Sequence, residues 1–266
     1  MDKLRVAFMG SPRFAVPCLE VLLGAPSVEV VLVVTQPDKP AGRGQKLAPP
    51  PVKEVALAAG PAGIAPSLIV QPEKLRTPPF AEVVRPLGLD LIVVVAYGKI
   101  LPPDLLAVPR FGCWNLHASL LPKYRGAAPI QWAVLNGDAT TGVTLMQMEA
   151  GLDTGPMLRK REVSIADDDT AGTMFEKLAP AAAGLLVEGL DALVRGGIVA
   201  ERQDDALATL APMLEKEQGR IDFAWPARRV RDWIRGMDPW PGAFTSLDGD
   251  VLKVWGARLD GDAAGA

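Results

Sequence analysis

The chain reads as an α/β protein: a doubly wound, mostly parallel sheet of Rossmann-like form, followed by a partial, smaller, β-rich C-terminal part. Three observations predict this. Short runs rich in Val, Ile and Leu end at Gly, Pro or polar residues, as strands buried on both faces do. Segments with helical spacing of apolar residues separate them. Beyond Ala200 the texture turns charged, then turn-rich, then alternating.

The strands fall at residues 4–9, 28–35, 89–96 and 112–117. Between them, Ala15, Cys18, Leu19, Leu22 and Leu23 keep near-helical spacing in 15–23, and 51–59 and 79–87 supply two further crossover helices. The sheet continues through 142–148, and 156–163 returns as its antiparallel neighbour after the turn Gly151-Leu152-Asp153-Thr154-Gly155. Asp169 or Thr170 caps the next helix. Pro180 and Gly184 in the Ala/Leu-rich run to Leu193 predict two helices or a kinked one, closed by Gly196-Gly197. A helix at 227–235, turns at 238–242 and strands at 243–247 and 251–259 follow. The boundary falls near Ala206, separating a principal domain, 1–205, from a linker and C-terminal part, 206–266.

Composition narrows the function classes. No apolar run approaches the roughly 18 residues a membrane span requires. Met1-Asp2-Lys3-Leu4-Arg5 leads directly into a strand, so no export leader is expected. Two cysteines, Cys18 and Cys113, are too few for a disulfide framework and suit a reducing cytoplasm. A single histidine and two separated cysteines make no typical zinc site, so no metal is expected. Gly10-Ser11-Pro12-Arg13-Phe14-Ala15 lacks the later glycines that a pyrophosphate needs, so neither is NAD. With a formal charge of −3, any nucleic-acid partner must meet a local basic patch rather than the whole surface.

The chemistry gathers at the end of 112–117. His117, the only histidine, stands two residues after Asn115, so in a strand both side chains leave the same face. A neutral amide donor and an imidazole that titrates near neutral pH suit an oxygen that becomes anionic during acyl transfer. Asp153, in a Gly-bracketed turn 36 residues on, is the carboxylate that would orient the imidazole. Spacing alone also admits a plainer reading, with His117 a structural hydrogen-bonding residue at a strand end and Asp153 a turn former.

The run from Asn115 through His117, Ser119, Leu120, Leu121 and Pro122 to Ile130, followed by 151–155, resembles the signature of the folate-dependent formyltransferase superfamily. That resemblance implies an Asn115, His117, Asp153 catalytic triad, 10-formyltetrahydrofolate as co-substrate, and folate contacts from Ser119, Leu120, Leu121 and Pro122, with Tyr97 added to that subsite. Gly10-Ser11-Pro12, the run 35–44, Ala96-Tyr97-Gly98, Gly219-Arg220-Ile221-Asp222 and Asp238-Pro239-Trp240-Pro241-Gly242-Ala243 resemble the methionyl-tRNA formyltransferase branch. Members more usually carry Asn at 238 and Trp at 223, where this chain has Asp238 and Phe223. The branch implies a role in translation initiation: formyl transfer to the α-amine of methionyl initiator tRNA, in the cytoplasm, by a monomer.

The segment 36–47 carries Lys39, Arg43 and Lys46 against Asp38 in a Gly/Pro-rich stretch. Such a segment is often a solvated excursion. The resemblance makes it the tRNA contact, with its cations on phosphate. Relatives with the same triad use other acceptors, namely an amino sugar nucleotide, a purine precursor or water; the basic segment favours tRNA. The branch pattern continues past Ala266 into a basic, OB-like barrel of five strands, of which 206–266 is expected to hold only part.

Overall fold

A computed structural model describes residues 3–41, 46–58 and 64–259. By its internal contacts the chain forms two compact units that interleave along the sequence. The first comprises Met1–His117, Thr144–Lys160 and Ala179–Gln203, the second Ala118–Val143, Arg161–Leu178 and Asp204–Ala266.

The first unit holds the parallel strands β1 (Leu4–Gly10), β2 (Val28–Val34), β5 (Ile69–Val70), β6 (Leu91–Val95) and β7 (Cys113–His117). Two further short strands, β3 (Lys39–Ala41) and β4 (Lys46–Ala48), pair with each other as a hairpin. Helices α1 (Val16–Gly24), α2 (Pro51–Ala58), α3 (Phe80–Val84) and α4 (Pro103–Leu106) connect them. In the second unit lies α5 (Pro129–Leu135), and β8 (Thr140–Gln147), β9 (Met157–Ser164) and α6 (Ala171–Val194) supply residues to both units.

The sheet order is β5-β2-β1-β6-β7-β8-β9. Neighbours are parallel from β5 to β7, and β8 runs antiparallel to β7 with His117 opposite Thr144. The chain winds outward from β1 through β2 to β5, then crosses back to β6 on β1's other side. That reversal puts a topological switch point at the carboxyl ends of β1 and β6, where such sheets open a crevice. Gly10, at the end of β1, owes its identity to packing: an added Cβ would stand 2.8 Å from the Val95 carbonyl oxygen and 2.9 Å from Ala15 Cβ.

β9 returns beside β8 as the sequence predicts. Gln147 N donates to Pro156 O at 2.9 Å in the first unit, and Gly142 abuts the Arg161 carbonyl in the second, the register of an antiparallel hairpin. Of the two alternatives left by Pro180 and Gly184, the chain takes one continuous helix, α6. Pro180 is exposed, so its missing donor frees a carbonyl toward solvent, while Leu178, Ala182, Leu185 and Leu186 anchor the buried side. Thr170 is its cap, its Oγ1 accepting from Thr173 N at 3.3 Å.

Two features depart from the sequence reading. The segment 36–47, read as loop, contributes to the antiparallel pair β3–β4, which runs on to Ala48, and the last strand closes at Val254 rather than at 259. In the second unit, α7 (Ala227–Met237) packs on α5, with Gly236 allowing close approach to Leu135. Leu135, Leu214, Ile221, Ile234, Met237 and Ala243 form its core, edged by T-shaped contacts of Trp233 with Trp132 and Trp225. Strands β10 (Ala243–Leu247) and β11 (Asp250–Val254) complete the unit as an antiparallel pair. Among the described residues no helix is long and apolar enough to cross a membrane.

Candidate active site

β7 divides its side chains by alternation. Trp114 and Leu116 are buried on one face, which α6 covers closely enough that Gly189 sits against Trp114 and Leu145. Asn115 and His117 take the opposite face, Asn115 half-buried and His117 at 6% exposure. The strand ends at His117, so the imidazole stands at the sheet's carboxyl edge, one strand removed from the switch point.

Asp153 reaches this position from the turn between β8 and β9. Its backbone is left-handed, with φ +51°, a region asparagine and aspartate tolerate better than most residues. The bracketing glycines are required by space: a side chain at Gly151 would strike Thr154 Oγ1, and one at Gly155 the carbonyl oxygen of Gln147. The result brings Asp153 Oδ2 to 3.7 Å from His117 Nδ1. That is ion-pair distance, longer than a hydrogen bond. The two side chains are 15% and 6% exposed.

Gln203, which the sequence reading did not single out, holds that turn. Its Nε2 donates to Asp153 O at 2.8 Å and to Gly155 O at 2.7 Å. Nothing local in the sequence marks Gln203, because both partners are backbone carbonyls about 50 residues away.

The remaining candidates are placed as follows. Tyr97 follows Ala96, itself at φ +47°, and is buried in the core with Met9, Val94 and Leu101. Its hydroxyl is enclosed and has no hydrogen-bond partner among the described residues, and burial pushes the phenol up to about 12, so it is a neutral donor. Ser119, Leu120, Leu121 and Pro122 open the second unit: Ser119 and Leu121 are buried, Leu120 and Pro122 half-buried. Ser119 Oγ donates to Lys123 O at 2.6 Å, a bond that shapes the turn.

Lys39 and Lys46 lie exposed on β3 and β4, while Arg43 lies outside the described residues. Asp38, at the hairpin's root, accepts from Lys53 Nζ at 2.9 Å and from Gln71 Nε2 at 2.7 Å. These hydrogen bonds, Gln71's first and then Lys53's, hold its carboxyl below the usual aspartate range. Among the described residues Asp38 is therefore answered by Lys53 and Gln71. Among the described residues no three His, Cys, Asp or Glu side chains cluster to hold a metal.

Comparison with known proteins shows the family to which the chain belongs. Residues 4–190 match the Formyl transferase family and residues 213–266 the Formyl transferase, C-terminal domain. The chain is 50% identical over 255 residues to methionyl-tRNA formyltransferase of Geobacter metallireducens, covering 96% of this chain and 80% of that protein. It is 51% identical over 265 residues to the enzyme of the same name from Trichlorobacter lovleyi, covering 100% and 81%. The fold matches the crystal structure of a 4-N formyltransferase from Francisella tularensis, with TM-score 0.73 at 16% identity over 97% of this chain and 98% of that one. The chain belongs to the methionyl-tRNA formyltransferase family.

Proposed function

We propose that the chain transfers the formyl group of 10-formyltetrahydrofolate to the α-amine of methionine esterified to initiator tRNA, with Asn115, His117 and Asp153 as the catalytic triad. The observation that carries this reading is the 3.7 Å approach of Asp153 to His117 Nδ1, beside Asn115 on the same face of β7. The amine nitrogen attacks the formyl carbon, and the carbonyl electron pair moves onto oxygen. Asn115 and His117 donate to that oxyanion, while Asp153 steadies the imidazolium across Nδ1. Collapse restores the carbonyl and breaks the bond to N10 of the folate, which leaves protonated. The proton comes from the attacking nitrogen, relayed with the help of Asp153 through water. No covalent enzyme intermediate is required.

In this reading Ser119, Leu120, Leu121 and Pro122 contact the folate, and so does Tyr97. Its enclosed hydroxyl, without a partner among the described residues, is the kind of group a bound ligand would satisfy. Lys39, Arg43 and Lys46 meet tRNA phosphates. Residues 1–205 act as the catalytic domain and 206–266 as linker and partial OB-like domain, in a cytoplasmic monomer without metal or NAD.

A radiolabelled formyl-transfer assay tests this with charged initiator tRNA, an amino sugar nucleotide and water as acceptors under matched conditions. Transfer to methionyl-tRNA alone is expected, with His117→Ala and Asn115→Ala each slower by about 10²–10³ while still folded by circular dichroism. Preferential transfer to the amino sugar nucleotide would overturn the acceptor, and near-parental rates in both variants the triad.

A further inference from the structure

We infer that Gln203 is a positioning residue for formyl transfer, acting through the backbone of the turn that carries Asp153. The inference rests on the triad reading above and extends it to a residue that touches neither reactant.

The geometry has three parts. First, Asp153 holds a left-handed backbone at φ +51°, a conformation that persists only where its surroundings enforce it. Second, a backbone bridge fixes the approach of Gln203: Met157 N donates to Glu201 O at 2.7 Å, and Glu201 N to Met157 O at 2.8 Å. In that antiparallel register, 157 opposite 201 puts 155 opposite 203, so the Gln203 side chain arrives alongside the turn. Third, both bonds go to carbonyls of the turn itself, Asp153 O and Gly155 O, from one amide nitrogen buried with its residue at 5% exposure. A side chain at Gly155 would strike Gln147 O, so the turn runs close against the β8 backbone.

A primary amide is the group this task needs. Two carbonyl oxygens converge on one nitrogen, which must offer two hydrogens without carrying charge into a buried position. Glutamate at 203 would set a third acceptor against the two oxygens. Methionine keeps the length and volume of the chain but donates nothing, leaving two carbonyls without their partner. Either change frees the turn to leave the left-handed state and lets Asp153 Oδ2 drift from His117 Nδ1. A misplacement near 1 Å at a reacting centre costs about 10²-fold in rate.

The test is a kinetic and spectroscopic comparison of Gln203→Met, Gln203→Glu, Asp153→Asn and the doubly substituted Gln203→Met/Asp153→Asn chain. Single-turnover formyl transfer to charged initiator tRNA should slow by about 10-fold to 10²-fold in Gln203→Met, with KM for the folate changed less than twofold. Adding Gln203→Met to Asp153→Asn should cost little more than Asp153→Asn alone, because both act on one carboxylate. Since His117 is the only histidine, the ring ¹⁵N resonances report on it without ambiguity, and they should move in Gln203→Met in the same direction as in Asp153→Asn. In the unsubstituted chain the Gln203 side-chain amide should resist hydrogen exchange, a measurement independent of how any variant folds. An unslowed Gln203→Met beside a slow Asp153→Asn would overturn the inference and leave the triad standing. An unslowed Asp153→Asn would remove the triad itself. Fast amide exchange, fully additive losses, or unmoved imidazole resonances would each overturn the inference.

Discussion

Asp153→Asn is the sharpest perturbation of the proposed centre, because it removes a charge while keeping shape and the tolerance of a left-handed backbone. Two unit charges at the observed 3.7 Å attract by about 4.5 kcal/mol at an effective dielectric of about 20 and by about 1 kcal/mol in bulk water. With the side chains 6% and 15% exposed, the pair lies between those limits. Part of the attraction offsets the desolvation that a partly buried pair incurs. About 2.7 kcal/mol of imidazolium stabilisation is then lost in the transition state, a fall of about 10² in the rate of the chemical step. The assay is single-turnover transfer of radiolabelled formyl from saturating 10-formyltetrahydrofolate to methionyl-tRNA, with KM for the folate and the melting temperature followed in parallel. A rate within threefold of the parent in a chain of unchanged melting temperature would refute the electrostatic role of Asp153.

Three further outcomes follow from other parts of the molecule. Lys39→Ala with Lys46→Ala should weaken tRNA binding and lower its salt slope by about two counterions, with folate kinetics unchanged; a chain with unchanged slope would place tRNA elsewhere. Asp169 is buried, which opposes its charge, yet hydrogen bonds from Lys177, Ala166 N and Thr173 together hold its carboxyl below the usual value. A depressed carboxylate stabilises the fold above the unfolded pKa near 4 and loses that contribution as pH falls through the folded one, so urea midpoints of parent and Asp169→Asn should differ at pH 7 and converge toward pH 3. Burial raises the Cys18 and Cys113 thiols to about 12, and both should therefore react with a thiol reagent at pH 7.5 far more slowly than in denaturant; prompt labelling of the folded chain would contradict their placement.

Much of the first unit was legible because β6 and the later residues of β1 and β2 are buried, so that burial writes them as apolar runs, while β7 alternates buried Trp114 and Leu116 with Asn115 and His117. β5 was not, since Ile69–Val70 shows two residues where no period can be read. The β3–β4 hairpin hid in a Gly/Pro-rich composition, its strands of three residues being held by pairing with each other rather than by apolar pattern. Pro180 left two helices or one open in the sequence, and the structure has one, for a proline on the solvent side of a helix anchored elsewhere removes only one exposed hydrogen bond. At the candidate site, strand alternation paired Asn115 with His117 and two glycines marked Asp153, but these patterns also suited plain structural roles, and it was the resemblance to a known family that singled the three residues out. Gln203 was invisible, because a side chain that bonds to backbone carbonyls leaves no complementary residue type in the sequence to find.

The interleaving of the two units has a consequence for how the molecule comes into being. Synthesis delivers Met1–His117 first, then residues 118–143 of the second unit, then Thr144–Lys160 and Ala179–Gln203 of the first, with residues 161–178 between them. β8 and β9 are thus emerging when most of the second unit is still unmade, and the first unit lacks its clamp on the Asp153 turn until Gln203 has been added. No single cut releases either unit as a continuous fragment. The Asp153 turn therefore acquires its side-chain support late in translation, and a nascent chain stalled before residue 203 would carry Asn115, His117 and Asp153 yet lack the side chain that bonds the carbonyls of that turn.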